Sequence, residues 1–184
     1  MKKDSKNKLA RSYAQAMLEA AEAAGVAENV LHDVQLLTAA LKSDPAIARQ
    51  LANPLWKIED KQNAVREIGD RLKLNAVTVR SLQVAAAAGR LDLLSEILRR
   101  FVEDFYAANN IAEVSVTSAT TLDQEQEKRL KQALEKRLGK KVVINYAIKP
   151  EILGGLLIEC GSMMFDDSVK GKLNRLELLM KGTK

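Results

Sequence analysis

An α+β protein is the fold this sequence predicts: an N-terminal all-helical bundle of about six helices, then a small C-terminal α/β sheet domain. Three observations predict it. From Leu9 to Phe105, apolar residues recur every three or four positions, the spacing of a buried helix face. At Ile111 the period drops to two, with Val114 and Val116 alternating with Glu113, Ser115 and Thr117, as on a half-buried strand. Beyond that point, glycine and proline punctuate short apolar runs, as between paired strands. The change of period places a boundary at Asn109-Asn110, giving domains 1–109 and 110–184.

The elements follow in order. Leu9 to Ala24 is alanine-rich and ends at Gly25, a strong helix with a C-terminal stop. Val30, Val34, Leu37 and Leu41 mark one face of a second helix, which ends before Asp44-Pro45. A short third helix covers Ala46 to Ala52, and Asn53-Pro54 breaks it. A fourth begins around Trp56 with Val65, Ile68 and Leu72 on one stripe, and Trp56 is expected to pack in the core. Asn75 caps a fifth helix running to Ala88. Gly89 ends it, and Leu94, Ile97, Leu98, Phe101 and Phe105 line a long sixth.

The strand at Ile111 is followed by Asp123 with Gln126 three residues later, a capping box for the next helix. Leu130, Leu134 and Leu138 share one face of that helix, while Glu125–Arg129 and Glu127–Lys131 pair on the other. Gly139 stops it. Val142, Ile144, Tyr146 and Ile148 share a face of a second strand, and Pro150 closes it. The segment IKPEILGGLLIECGSMMFDDSVKGKL, residues 148–173, is the most distinctive in the chain. Gly154-Gly155 lets the backbone turn or approach a neighbour closely. Leu156 to Cys160 and Met163 to Phe165 flank Gly161-Ser162 as a hairpin, with Met163-Met164-Phe165 expected in the sheet core. Asp166, Asp167 and Ser168 offer side-chain oxygens to a final helix from Val169 to Lys181 bearing Leu173, Leu176 and Met180.

Composition narrows the function classes. Aromatic residues make up only 4 % of the chain, so Ala, Leu, Val and Ile must build the core. The net charge of +5 is mild and its lysines and arginines are interleaved with acids, as on solvated helices, so no nucleic-acid footprint is required. Cys160 is the single cysteine, which rules out an intramolecular disulfide and fits a reducing compartment. The basic opening MKKDSKNK is followed by no hydrophobic stretch, so no secretory signal is expected. No apolar run approaches the ~20 residues needed to span a bilayer, so a membrane link is expected only through partners.

Catalytic chemistry finds no constellation. Gly171-Lys172 lacks the upstream glycine and following hydroxyl of a phosphate loop. His32 is the lone histidine and reads as a surface helix residue; Cys160 reads as a small buried hydrophobe on a strand. Asp166 and Asp167 read as turn and cap rather than as an acid–base pair. No cofactor, metal site or catalytic residue is expected. From the residues alone, a structural coupling protein and an unrelated helical adaptor remain open.

The C-terminal segment resembles the signature of the delta subunit of F-type ATP synthases, the oligomycin-sensitivity-conferring protein family. The matching residues are Leu153, Gly154, Gly155, Gly161, Asp166, Ser168, Val169, Gly171 and Leu173. Asp167 departs from the pattern, since many members carry glycine there. Ala10-Arg11-Ser12-Tyr13-Ala14 is similar to the family's opening helix, and Gly89-Arg90-Leu91 to its junction before the sixth helix. The resemblance covers nearly the whole chain and favours the coupling protein over an adaptor unrelated to a rotary motor.

The resemblance implies a non-catalytic stator subunit, one copy per complex, on the cytoplasmic face of a bacterial inner membrane. It implies that the helical domain grips N-terminal segments of the alpha subunits in a groove between the first and fifth helices. Ala10, Tyr13, Ala14 and Met17 on helix one and Leu82, Ala85 and Ala86 on helix five would line that groove; the other reading is that they pack the bundle. It further implies that the C-terminal domain engages b-type stalk subunits, with Leu173, Leu176 and Met180 on that surface or packed within the domain.

Overall fold

The computed structural model describes residues 2–53, 55–161 and 163–173, with side chains from Lys6 onward. The chain forms two compact units, Met1–Phe105 and Tyr106–Lys184. In the first, α1 (Lys2–Ala23), α2 (Ala27–Ser43), α3 (Pro45–Ala52), α4 (Ile58–Leu72) and α5 (Ala76–Ala87) are followed by a 3₁₀ turn at Leu91–Leu93. The sixth helix, α6 (Leu94–Ala108), begins directly after it. The core gathers Met17 of α1, Val30 and Val34 of α2, and Leu98 and Phe101 of α6, all fully buried. Each such side chain contributes about 1.5–3 kcal/mol of apolar burial. Phe101 stacks on Phe105 with ring centroids 6.3 Å apart, at the long end of the range for favourable ring pairs.

Helix ends are set by the expected chemistry. Asn75 accepts the Val77 N–H at 2.9 Å, capping α5. The same end is reached from α2: buried Asp33 accepts the Asn75 N–H at 2.7 Å and the Thr78 hydroxyl at 2.6 Å. A carboxylate at a helix N-terminus is favoured by the helix dipole, so Asp33 reinforces the start of α5 that Asn75 caps. Gly69 permits close packing of α4 on α5, because a Cβ there would collide with Val79.

Three expectations change in this unit. α1 starts at Lys2 rather than at Leu9. α4 starts at Ile58 rather than around Trp56, and Trp56 is 37 % exposed instead of core. The reason is local. Asn53 accepts the Leu55 N–H through its side chain and the Trp56 N–H through its carbonyl, which curls the connection into a turn that faces solvent.

In the second unit, β1 (Ile111–Ser118), α7 (Gln124–Leu138) and β2 (Lys141–Ile148) form a parallel crossover. After a 3₁₀ turn at Pro150–Ile152, β3 (Leu156–Cys160) and β4 (Met163–Asp166) form an antiparallel hairpin. The sheet order is β2-β1-β3-β4. Residues 169–173 are helical. Val114, Val116, Leu134 and Val142 make the core, with Leu130, Leu138, Ile144, Ile158 and half-buried Cys160 against it. The capping box of Asp123 and Gln126 is present, and Gly139 ends α7 at φ 64°, a left-handed conformation that suits glycine. Glu125 and Arg129 pair at 2.5 Å.

Met163, Met164 and Phe165 are 47 %, 62 % and 39 % exposed, not sheet core as expected. Among the described residues β4 is the outermost strand, paired on one side only, with β3, so it is covered less than the centre of the sheet. Phe165 receives the Arg137 guanidinium of α7 over its ring at 4.9 Å, a cation–π contact.

Candidate partner-binding surfaces

The C-terminal motif is architectural. Asp166 Oδ1 accepts the Ser168 N–H at 2.9 Å and its hydroxyl at 2.5 Å, and Ser168 Oγ accepts the Gly171 N–H at 2.9 Å. Buried Ser168 is therefore the helix cap. Gly155, at φ 78°, lies so close to the Asp167 carbonyl that a Cβ would overlap it, and a Cβ on Gly171 would overlap the Asp166 carboxylate. Asp167 N–H and Val169 N–H donate to the carbonyls of Leu156 and Gly154. The glycines thus let the final helix close onto the start of β3. Asp167 points outward and pairs with Lys172 at 2.7 Å, so the turn accommodates a side chain at this position.

Along α1 and α5, six residues expected to line a groove are core. Ala10, Ala14, Met17, Leu82, Ala85 and Ala86 are all at most 4 % exposed, and only Tyr13 is half-buried. The two helices pack through small side chains, and that close approach closes the space between them.

Beside this buried face each helix carries an apolar flank that the sequence reading missed. On α1, Leu9 and Tyr13 are half-buried and Ala16 and Ala20 exposed, one stripe at helical spacing. On α5, Val77 and Ser81 are half-buried, and Val84 is 56 % exposed. The opposite flank of α1 carries Lys8, Arg11, Gln15, Glu19 and Glu22. That asymmetry was the available signal: apolar residues continued one position past the width a core stripe needs.

In the second unit, Leu173 is 53 % exposed, while Leu176 and Met180 lie outside the described residues. Further apolar surface is left by Tyr146 and Ile148 on β2 and Leu153 before β3. Among the described residues, no group of three His, Cys, Asp or Glu side chains is placed to hold a metal ion, and no helix is long and apolar enough to cross a membrane.

Residues 9–180 match the protein family described as ATP synthase delta (OSCP) subunit. The ATP synthase subunit delta of Rhizobium etli (strain CIAT 652) is 35 % identical over 175 residues, covering 94 % of this chain and 92 % of that one. Those of Maricaulis maris (strain MCS10) and Rhodospirillum rubrum are each 32 % identical, covering 92 % and 95 % of this chain and 94 % of either relative. A chain in the cryo-EM structure of the Toxoplasma gondii mitochondrial ATP synthase hexamer superposes with a TM-score of 0.74 at 21 % identity. The alignment spans 96 % of this chain and 99 % of that one, a likeness of fold.

Proposed function

From a chain that belongs to the ATP synthase delta (OSCP) subunit family, a component of the peripheral stalk of the F-type enzyme, we propose the mechanical role in detail. The helical half, residues 1–109, holds N-terminal helices of the alpha subunits. The half from 110 to 184 holds the ends of b-type stalk subunits. The chain itself catalyses nothing: it resists rotation of the catalytic head while the central rotor turns. It sits on the cytoplasmic face of a bacterial inner membrane through the complex.

The observation that carries this reading is the family match over nearly the whole chain. The apolar flanks support its first contact. An amphipathic partner helix needs an apolar strip to lie on, and the stripe Leu9, Tyr13, Ala16, Ala20 with Val77 and Val84 offers one beside the closed core. The six buried residues Ala10, Ala14, Met17, Leu82, Ala85 and Ala86 then act by packing α1 against α5 and so setting the strip's width, while Tyr13 lies on the strip itself. Leu173, Leu176 and Met180 are proposed for the stalk contact.

The test is a labelled peptide of an alpha-subunit N-terminus, titrated by fluorescence anisotropy into the full chain and into a fragment ending at Asn109. Val84→Arg is expected to weaken binding at least about ten-fold, the effect of losing roughly 1.4 kcal/mol, with an unchanged melting temperature. The fragment is expected to give a helical circular dichroism spectrum and to keep full affinity. Equal affinity for wild type and Val84→Arg would remove the strip from the contact, and a fragment that is unfolded would refute the division at 109.

A further inference from the structure

We propose that the free edge of β2 is a second docking site, which takes an extended peptide segment by strand addition. The segment is apolar at alternate positions and acidic at its two ends. This goes beyond the helix-binding strip and involves a different kind of recognition.

The argument begins with the direction of the backbone groups. In a parallel ladder, alternate residues turn both N–H and C=O to the same neighbour. Lys149 N–H donates to Ser118 O at 2.8 Å, just past the last β1–β2 pair. Odd-numbered residues of β2 therefore face β1, and even-numbered ones face outward. Val142 agrees, since its N–H is met at 3.4 Å by the carboxylate of Glu135 on α7. Ile144, Tyr146 and Ile148 continue the outward set, and no described group meets their N–H or C=O. Three donors and three acceptors stand in a row on the open side of a sheet.

Strand edges of this length are normally blunted by a bulge, a central lysine or a proline. β2 has none of these in its middle. Its pairing with β1 is unbroken over eight residues, from Ile111↔Lys141 to Ser118↔Ile148. Lysines stand only at its ends, and Pro150 follows it. Two of the three outward residues instead leave large apolar side chains exposed, Tyr146 at 42 % and Ile148 at 53 %. The opposite edge, β4, has four residues against eight.

Charge selects the occupant. At the start of β2, Lys131, Lys140 and Lys141 line a shallow depression with Glu135, whose carboxylate is engaged by Val142. Lys149 stands at the far end. Glu127 lies near enough to the Tyr146 hydroxyl to act on it electrostatically. Carboxylates on an added strand are thus favoured at its ends and repelled at its centre, where Tyr146 and Ile148 call for apolar neighbours.

The probe is a synthetic nine-residue peptide alternating valine and threonine, with glutamate at each end, added to the isotopically labelled full chain. Amide hydrogen exchange at Ile144, Tyr146 and Ile148 should slow by about ten-fold or more at saturation. A peptide N-methylated at the residues facing β2 should give no protection. One methylated at the alternate residues should protect as the parent does. Tyr146→Pro removes an outward N–H without taking a bond from β1, so it should abolish protection with an unchanged circular dichroism spectrum; if it unfolds the sheet, the N-methylated pair decides. Absent protection, or protection by both methylated peptides, overturns the proposal. So does concentration-dependent self-association that Tyr146→Pro removes, which would give the edge to a second copy of the chain.

Discussion

In residues 1–105 the apolar side chains close on one another, with Met17, Leu98 and Phe101 fully buried. Among the described residues of 106–184 the fully buried set shrinks to three valines, Val114, Val116 and Val142, while Met164, Ile148, Leu153 and Leu173 are more than half exposed, against Leu55, Ile58 and Val84 in the bundle. The difference has a geometric origin. Helices can pack around a centre on several sides, whereas a four-stranded sheet has two edges and, among the described residues, a core that lies under α7. What it teaches is that the two units of one chain expose apolar surface in two different forms. The bundle keeps a narrow strip beside a finished core. The sheet unit leaves whole apolar side chains exposed among its described residues.

The contrast is broken most forcefully by placing the same charge in each unit. Ala14 is completely buried, so Ala14→Arg should destabilise the bundle by several kcal/mol, the cost of an unpaired buried charge and overpacking. Met164→Arg, on an exposed edge strand, should change stability by no more than about 0.5 kcal/mol. Chemical denaturation of the two variants checks both. Comparable destabilisation would mean that the second unit buries Met164.

A smaller effect sharpens the account of the sheet unit. Gly155→Ala forces a side chain into φ 78° and against the Asp167 carbonyl. It should cost about 2 kcal/mol or more, seen as an earlier unfolding transition that leaves the helical signal of the bundle in place. An unchanged transition would show that the final helix is free to move off β3.

The smallest effect concerns charge on the bundle. The Arg99 hydrogen bond, with Arg100 beside it, holds the Glu96 carboxyl below the ordinary glutamate range, against a raising contribution from burial. A depressed folded-state pKa stabilises above the unfolded value of about 4.3. That contribution disappears as pH falls through the folded value. Glu96→Gln should therefore lower stability near neutral pH by less than about 1 kcal/mol and flatten the acid limb below about pH 4. Parallel stability–pH curves for the two proteins would deny the network any role.

Local chemistry determined much of this protein by itself. The change of period at Ile111, the Asp123–Gln126 box, the Asn75 cap, and the stops at Gly25, Gly89 and Gly139 fixed the elements, because each depends on neighbours in the chain. The motif from Leu153 to Leu173 was sufficient to point to the family. Tertiary structure alone decided which apolar residues stay outside. Ala14 and Ala16 are alike in composition, yet one is sealed against the bundle and the other faces solvent. Met163 to Phe165 has the pattern of a core strand, but strand order puts it at an edge. Tyr146 and Ile148 share a parity with Val142 and Ile144, and only α7's position over the start of β2 buries the latter pair more deeply. Burial is a property of what lies across from a residue, and the partner across is brought by the fold rather than by sequence spacing.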